Sequence, residues 1–561
     1  LENKLTVECL DCGYQAPYMP GSLSCKQCGS QWRQARYDYS NLGRIMPALL
    51  PHRPFNLWRY RELLPIYEYN PSLSLGEGGT PLIHAANLGM MLGCPNIYIK
   101  DERQGPTNSF KDRQAAVGIA TLKEAGINEA VLASTGNVAI AYSAYAARAG
   151  IKLWAFLTSS VPAEKMREVA IYGTQVVKVT ATYDEAKKLA AEFANQRNLF
   201  LESGPRTLSS IEAMKTLAFE IAEQLTDLLG PDHRDTNDAL LPWRVPDWYF
   251  QSVSGGLGPL GVQKGFDELV DLGLTQERPA MAIIQAEGCS PMVVAWKKGH
   301  STAEPVRSPR THITTLATGD PGRTYTMLYQ HMVESGKGLF ESVPDEETFR
   351  TIHVLAKMEG LSVEPAAAVA FAGLIRLVRA GKIRPDDLIV VNCTGHTMPV
   401  ETSVLGDNWA RNVSLPVEPA ALTPQEGLLE ALNQVTADRY PRILVVDDFS
   451  DARRLIRRIL QSQGDYTIFE AASGRDAIQL AGQELPDLII LDLMMPEIDG
   501  FAVLDALKAN PETSSIPVIV VTAKELTPEE TERLRGQIQS LLQKGEFMND
   551  EFIDEITSLI N

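Results

Sequence analysis

Basic charge is what this sequence has too little of. Against 70 Asp and Glu stand 52 Lys and Arg, so the 561-residue chain carries a formal net charge of −18, with a pI near 5.1. A chain this acidic makes a poor general binder of nucleic acid or of an anionic membrane surface. Long apolar runs are missing too, and none approaches the roughly 20 residues that a membrane helix needs. The opening stretch, LENKLTVECL, lacks the basic-then-apolar pattern of a signal peptide. A cytoplasmic location, with no nucleic-acid and no membrane partner, is therefore expected. Cysteine is scarce, at seven residues. In a reducing compartment so few thiols argue against a disulfide framework. What the chain does have is length and an ordinary apolar content of 44%, enough for more than one core.

Four of the seven cysteines fall in two close pairs, Cys9-x-x-Cys12 and Cys25-x-x-Cys28. Gly13 and Gly29 follow the pairs and permit a tight backbone turn. Two such turns facing each other form a tetrahedral four-sulfur cage suited to zinc. Two disulfides or idle thiols are the competing reading. Four thiolates leave no open coordination position, so a zinc held here is structural. The segment 1–40 is accordingly read as a zinc ribbon. Cys94, Cys289 and Cys393 lie in apolar surroundings and are expected in the core.

From about 75 to 400 the pattern alternates. Apolar runs at 96–100, 129–134, 152–157, 175–179, 248–253, 280–287 and 388–395 read as buried strands. Helical stretches lie between them, including 138–149, 183–197 and 362–380. The class is α/β with a mainly parallel sheet, and the length suits two lobes. A Pro-rich polar stretch makes 403–440 a linker, with one helix expected at 424–435. A second, smaller α/β unit runs over 441–561.

The stretch PTNSFKDRQA (106–115) places a lysine where one is unwelcome. Thr107, Asn108 and Ser109 all suit a helix N-cap, so Lys111 falls in the first helical turn, at the positive end of the helix dipole. A surface lysine is the commonplace explanation. Three other segments suggest a different one. STGNVAIAYSAYAARAG (134–150) runs from a strand into a helix, with backbone N–H groups for a carboxylate and Asn137 for a ring substituent. In SVSGGLGPLG (252–261) the loop Ser254, Gly255, Gly256, Leu257 and Gly258 can cradle a phosphate at a helix N-terminus. NCTGHTMP (392–399) ends a strand with Thr394, whose hydroxyl can meet a neutral pyridine nitrogen. An amine for an aldehyde, a phosphate cradle, an amide and a hydroxyl together describe pyridoxal phosphate, with Lys111 as the Schiff-base lysine. The helix N-terminus is expected to lower its pKa. Gly256, Gly258 and Gly261 also satisfy G-x-G-x-x-G, and Glu287 ends the next strand, so a dehydrogenase stays as a rival.

The block resembles threonine synthase and its relatives among the fold-type II pyridoxal-phosphate enzymes. The residues that carry the resemblance are LGEGGTPLI (75–83), KDERQGPTNSFKDR (100–113), the 134–150 and 252–261 segments, GLSVEPAAAVAFAGL (360–374) and VVNCTGH (390–396). The resemblance covers about 60–402 and includes the N-terminal ribbon. It implies Lys111 as the cofactor lysine, Asn137 at the ring oxygen, Ser254–Gly258 at the cofactor phosphate and Thr394 at the ring nitrogen. The implied reaction converts O-phospho-L-homoserine and water to L-threonine and phosphate, and a homodimer is the family's usual assembly. Two segments depart from the family. Ser210 stands where an arginine for the substrate phosphate is expected, with Arg206 four residues earlier, while Glu212, Lys215 and Thr216 keep register. Thr397-Met398-Pro399 replaces a Gly-Leu-Lys. The alternatives are β- or γ-elimination or replacement on another amino acid, such as cysteate synthesis or serine/threonine deamination, and a signalling protein whose pyridoxal-phosphate domain is a sensor or scaffold.

In the C-terminal unit acids end successive strands: Asp447 and Asp448 after RILVV, Asp492 after DLIIL. Thr522 ends a third and Lys544 follows SLLQ. Carboxylates converging at one sheet edge need a cation, and Mg²⁺ suits them. One carboxylate can then take a phosphoryl group, with Lys544 and Thr522 meeting its charge and oxygens. The unit resembles a response-regulator receiver domain of flavodoxin-like (βα)5 fold. The resemblance implies Asp492 as phospho-acceptor, Asp447 and Asp448 as metal acids, Thr522 and Lys544 as the switch pair, and a sensor histidine kinase or phosphotransfer protein as partner. Leu541 and Gly545 replace an aromatic and a proline usual there. Phosphorylation is expected to tune the enzyme.

Overall fold

Strands that read as unbroken apolar runs should be covered on both faces. Ala280–Ala286 and Ile389–Cys393 are buried at every residue. The computed structural model describes residues 5–230, 243–396, 411–413, 440–463, 466–522 and 526–543, together with 556 and 559. The chain divides into two compact units, Leu1–Leu432 and Asn433–Asn561. Among the described residues no helix is long and apolar enough to cross a membrane.

The first unit contains three sheets. A small antiparallel sheet, in the order Gln15–Pro17, Thr6–Cys9, Arg33–Arg36, carries the cysteine turns. A six-stranded sheet runs Leu339–Val343, Ala280–Ala286, Trp248–Ser252, Ile389–Cys393, Ile97–Asp101, Leu82–His84, parallel except for its last pair. An all-parallel five-stranded sheet runs Arg411–Val413, Gln175–Val179, Lys152–Thr158, Glu129–Ser134, Phe200–Glu202. These two larger sheets are the α/β lobes expected from the alternating pattern. Strand Arg411–Val413 lies inside the stretch read as linker and pairs in parallel with Gln175–Val179. Three residues of moderate strand character extend an existing edge there, which a reading by composition does not detect. The helix expected at 424–435 lies outside the described residues.

Local signals set the helix ends. Thr182 and Glu185 form a reciprocal capping box for Tyr183–Gln196. Gly150, left-handed at φ 66°, stops Asn137–Ala149. The start of Lys111–Glu124 differs from expectation. None of Thr107, Asn108 or Ser109 caps it; Phe110 precedes it without a side-chain cap bond. Instead the Asp112 carboxylate accepts from the Thr107 N–H at 2.9 Å and its hydroxyl at 2.6 Å. The loop is folded back onto the first turn, and Lys111 is the first helical residue.

The second unit is a parallel five-stranded sheet in the order Thr467–Ala471, Arg442–Val446, Leu488–Leu491, Val518–Thr522, Ser540–Gln543. That 2-1-3-4-5 order is the flavodoxin-like one. Helices Ser450–Gln463, Gly474–Glu484, Gly500–Ala509 and Pro528–Leu534 follow its first four strands.

Candidate active site

In an open α/β sheet, ligands collect beyond the carboxyl ends of the strands. Four strand ends from the two large sheets deliver the candidate residues of the first unit. Ile97–Asp101 leads through a loop to Lys111, and Glu129–Ser134 to Asn137. Trp248–Ser252 leads to Ser254–Gly258, and Ile389–Cys393 to Thr394. All of them line one cavity of about 530 Å³.

Lys111 is half-buried, its Nζ 4.0 Å from the Phe110 ring centroid. Burial pushes its amine down to about 8, against the pull of Glu364 and Glu202 in the other direction. Loss of water is therefore the principal cause, where the sequence pointed to the helix dipole. Asn137 opens its helix behind Gly136. The N–H groups of Gly136 and Ala139 both donate to the Ser134 hydroxyl, at 3.0 and 3.2 Å, so that helix start keeps fewer donors for a carboxylate than expected. The Asn137 amide is held at both ends: Lys165 Nζ donates to its Oδ1 at 2.7 Å, and its Nδ2 donates to Glu364 Oε1 at 2.7 Å. Lys165 and Glu364 pair at 2.9 Å, each 4% exposed at the side chain. Neither was singled out from sequence. Glu364 sits in the quoted GLSVEPAAAV, where a carboxyl before a helix-opening proline was the available signal.

The glycine loop fits a phosphate. Gly256 is left-handed at φ 95°, and a Cβ there would sit 2.6 Å from Thr324. A Cβ on Gly258 would come within 2.2 Å of Gln251 Nε2. That Nε2 is buried with no hydrogen-bond partner, an unspent donor beside the loop. Ser254 Oγ meets Thr318 Oγ1. The first N–H groups of helix Leu257–Asp271 have no intrahelical acceptor. A phosphate cradle, an amine, a fixed amide and a hydroxyl on one cavity suit pyridoxal phosphate. The dinucleotide reading fares worse. Gly261 is packed on another helix, where a Cβ would lie 2.4 Å from Met214, so its smallness serves packing.

The segment 202–216 turns mostly inward. Ser210 is fully buried and donates to Glu202 at 2.9 Å. Glu212 and Lys215 form a buried ion pair joined by Glu268. Thr216 accepts from Arg113 at 3.2 Å, and Arg113 is clamped by Glu102 and Glu220. Arg206, by contrast, is exposed and lines the cavity. Residues 397–399 lie outside the described residues.

In the ribbon Cys9, Cys12, Cys25 and Cys28 bring their sulfurs within 4.8 Å of one another. The Gly13 and Gly29 N–H groups each close a turn on Cys9 and Cys25 at 2.9 Å, with φ of 70° and 76°. The cluster suits a four-thiolate zinc. Cys94, Cys289 and Cys393 are buried, as expected. In the second unit Asp447, Asp448 and Asp492 place carboxylate oxygens within 4.8 Å. Asp448 Oδ1 is buried without a hydrogen-bond partner among the described residues. Thr522 is buried at the end of its strand, and Leu541 is 41% exposed. Lys544 and Gly545 lie outside the described residues.

Known proteins share both units. Residues 73–395 match the pyridoxal-phosphate dependent enzymes, and residues 443–557 match the response regulator receiver domain. The chain is 33% identical over 390 residues to the threonine synthase of Methanocaldococcus jannaschii, covering 69% of this chain and 91% of that one. To the threonine synthase of Methanosarcina acetivorans it is 34% identical over 400 residues, 71% of this chain and 93% of the relative. To that of Mycobacterium tuberculosis it is 31% identical over 391 residues, 68% and 99%.

Proposed function

The chain belongs to the threonine synthase family of pyridoxal-phosphate-dependent enzymes, and from that premise we propose that it converts O-phospho-L-homoserine and water to L-threonine and inorganic phosphate. The observation that carries the proposal is the convergence of Lys111, Asn137, the Ser254–Gly258 loop and Thr394 on one cavity. The cofactor, when bound, supplies an electron sink for negative charge developing on the substrate carbon. The residues divide the remaining work. The loop N–H groups would hold the cofactor phosphate, the Asn137 amide would bond the ring oxygen, and the Thr394 hydroxyl would face the ring nitrogen. Lys111 would supply the amine for the cofactor aldehyde, and its Nζ would take the substrate Cα proton and later move a Cβ proton. Burial supports that role, since an amine near 8 stays partly neutral at working pH. Across the reaction, phosphate would leave from Cγ, which gains a proton to become the methyl carbon; water would give its hydroxyl to Cβ and its proton to a base, and Cα would regain the proton it lost.

The ribbon's four thiolates would hold a structural Zn²⁺. In the receiver domain Asp447, Asp448 and Asp492 would hold Mg²⁺, with Asp492 taking the phosphoryl group from a histidine kinase or phosphotransfer protein and Thr522 answering it. The homodimer usual in the family belongs to the same reading and is checked by light scattering. The deciding assay is phosphate release with threonine formation from O-phospho-L-homoserine by the cofactor-loaded protein, lost in Lys111→Ala. A wild-type protein with the cofactor's visible absorbance but no phosphate release refutes the substrate.

A further inference from the structure

Nothing in the proposed reaction calls for the four-cysteine ribbon, yet Trp32, just after its second turn, lines the cavity, and both turns bound a neighbouring hollow that shares Trp32 and Arg206. Trp32, four residues past Cys28, lines the cavity together with Arg206 and Arg323. A second, more open hollow is bounded by Asp11, Cys28, Ser30, Trp32 and Arg206. Arg206 therefore faces the ribbon on one side and the cavity on the other. Asp11, inside the first cysteine turn, is ion-paired with Arg323. The same guanidinium donates to the Leu10 carbonyl at 3.3 Å and lies 5.4 Å from the Trp32 ring centroid. Arg323 opens helix Arg323–Ser335. Its neighbour Thr324 packs on Gly256 of the glycine loop. The ribbon thus reaches the cofactor cradle through one arginine and one helix start.

The two arginines have different circumstances. Arg323 already has a carboxylate, a carbonyl and an aromatic face, so its position is fixed and its charge largely answered. Arg206 is exposed and has no ion pair among the described residues. Ser210, four residues on, is buried against Glu202 and offers the cavity nothing. A guanidinium is the side chain best matched to a phosphate monoester, because its planar fork can meet two oxygens at once.

We propose that the four-cysteine ribbon is a wall of the substrate cavity, fixing Arg323 through Asp11 and Trp32 and leaving Arg206 as the cation that meets the phosphate monoester of the substrate. This rests on the reading of the substrate as a phosphorylated amino acid. The test uses the full-length, cofactor-loaded protein. Inorganic phosphate is titrated calorimetrically into the wild type, Arg206→Ala, Arg206→Lys and Asp11→Asn, and kinetics are run with O-phospho-L-homoserine. Zinc content and visible absorbance, measured alongside, report that the ribbon and the cofactor site survive. Loss of one charge-assisted contact should weaken phosphate binding and raise KM by about 10- to 100-fold in Arg206→Ala, with kcat changed less than about threefold. Arg206→Lys should recover part of the loss. Asp11→Asn should strengthen phosphate binding by about three- to tenfold with zinc retained, because it removes a negative charge and frees the Arg323 guanidinium, which lines the same cavity. Phosphate affinity and KM unchanged in Arg206→Ala would overturn the assignment of the cation, as would a wild type that binds no phosphate. Unchanged values in Asp11→Asn would overturn the wall. If the wild type binds phosphate through Arg206 but turns over no O-phospho-L-homoserine, the reaction reading fails and this inference stands.

Discussion

The amine of Lys111 should govern how fast the cofactor-free protein takes up pyridoxal phosphate. At pH 7 an ordinary lysine with a pKa of 10.5 is neutral in about one molecule in 3,000. At about 8 it is neutral in about one in 11, a gain of roughly 300-fold in the reactive form. Burial produces the shift, and Glu364 and Glu202 limit it. The sign for stability follows. The folded value lies below the unfolded one, so between about pH 8 and 10.5 the unfolded chain binds more protons. Stability contributed by this residue therefore rises with pH through that window. Below pH 8 the full cost of the buried ammonium is present, about 3 kcal/mol. The assay follows the growth of visible absorbance under excess cofactor as pH is raised. The rate should climb about tenfold per pH unit and level off just above about pH 8. A rate still climbing tenfold per unit beyond about pH 9.5 would mean an ordinary lysine and refute the burial argument. A rate independent of pH, or one that survives Lys111→Ala, would mean that another group captures the aldehyde.

Three further outcomes are expected. Lys165→Met leaves Glu364 charged and buried without its partner, so unfolding in urea should show a loss of about 3–5 kcal/mol; Lys165→Met with Glu364→Gln should recover much of it, and equal damage in both would refute the pairing as the cause. Gly256→Ala demands a left-handed alanine at φ 95° with its Cβ 2.6 Å from Thr324, costing about 2–4 kcal/mol. It should appear as a weaker cofactor affinity in absorbance titration, and an affinity within twofold of wild type would refute the cradle. Asp492→Asn should abolish Mg²⁺-dependent phosphorylation by a small phosphodonor, followed by intact mass; a phosphorylated variant would move the acceptor to another acid.

Elements with local causes were legible from residues alone. Strands such as Ala280–Ala286 declare themselves as apolar runs, and Thr182 with Glu185 marks a helix start through bonds within four residues. The cysteine turns, the glycine loop and the acids at strand ends are likewise short-range signals, because turn geometry and capping are set by neighbours in the chain. So the two α/β lobes, the four-cysteine cluster, the receiver domain and, on the cavity, Lys111, Asn137, the Ser254–Gly258 loop and Thr394 could be named in advance, whereas Glu364, Trp32 and Arg323 on the same cavity could not. Some matters were decided only by tertiary structure. Lys165 and Glu364, 199 residues apart, fix the Asn137 amide. Asp11 and Arg323, 312 residues apart, join the ribbon to the cavity. Ser210 turns inward while Arg206 turns outward. The lowered pKa of Lys111 comes chiefly from burial and not from the helix end that the sequence displays. Backbone preference is a sum of local terms and survives in a one-dimensional string. Desolvation and ion pairing depend on which distant surfaces meet, and no spacing of residues records that.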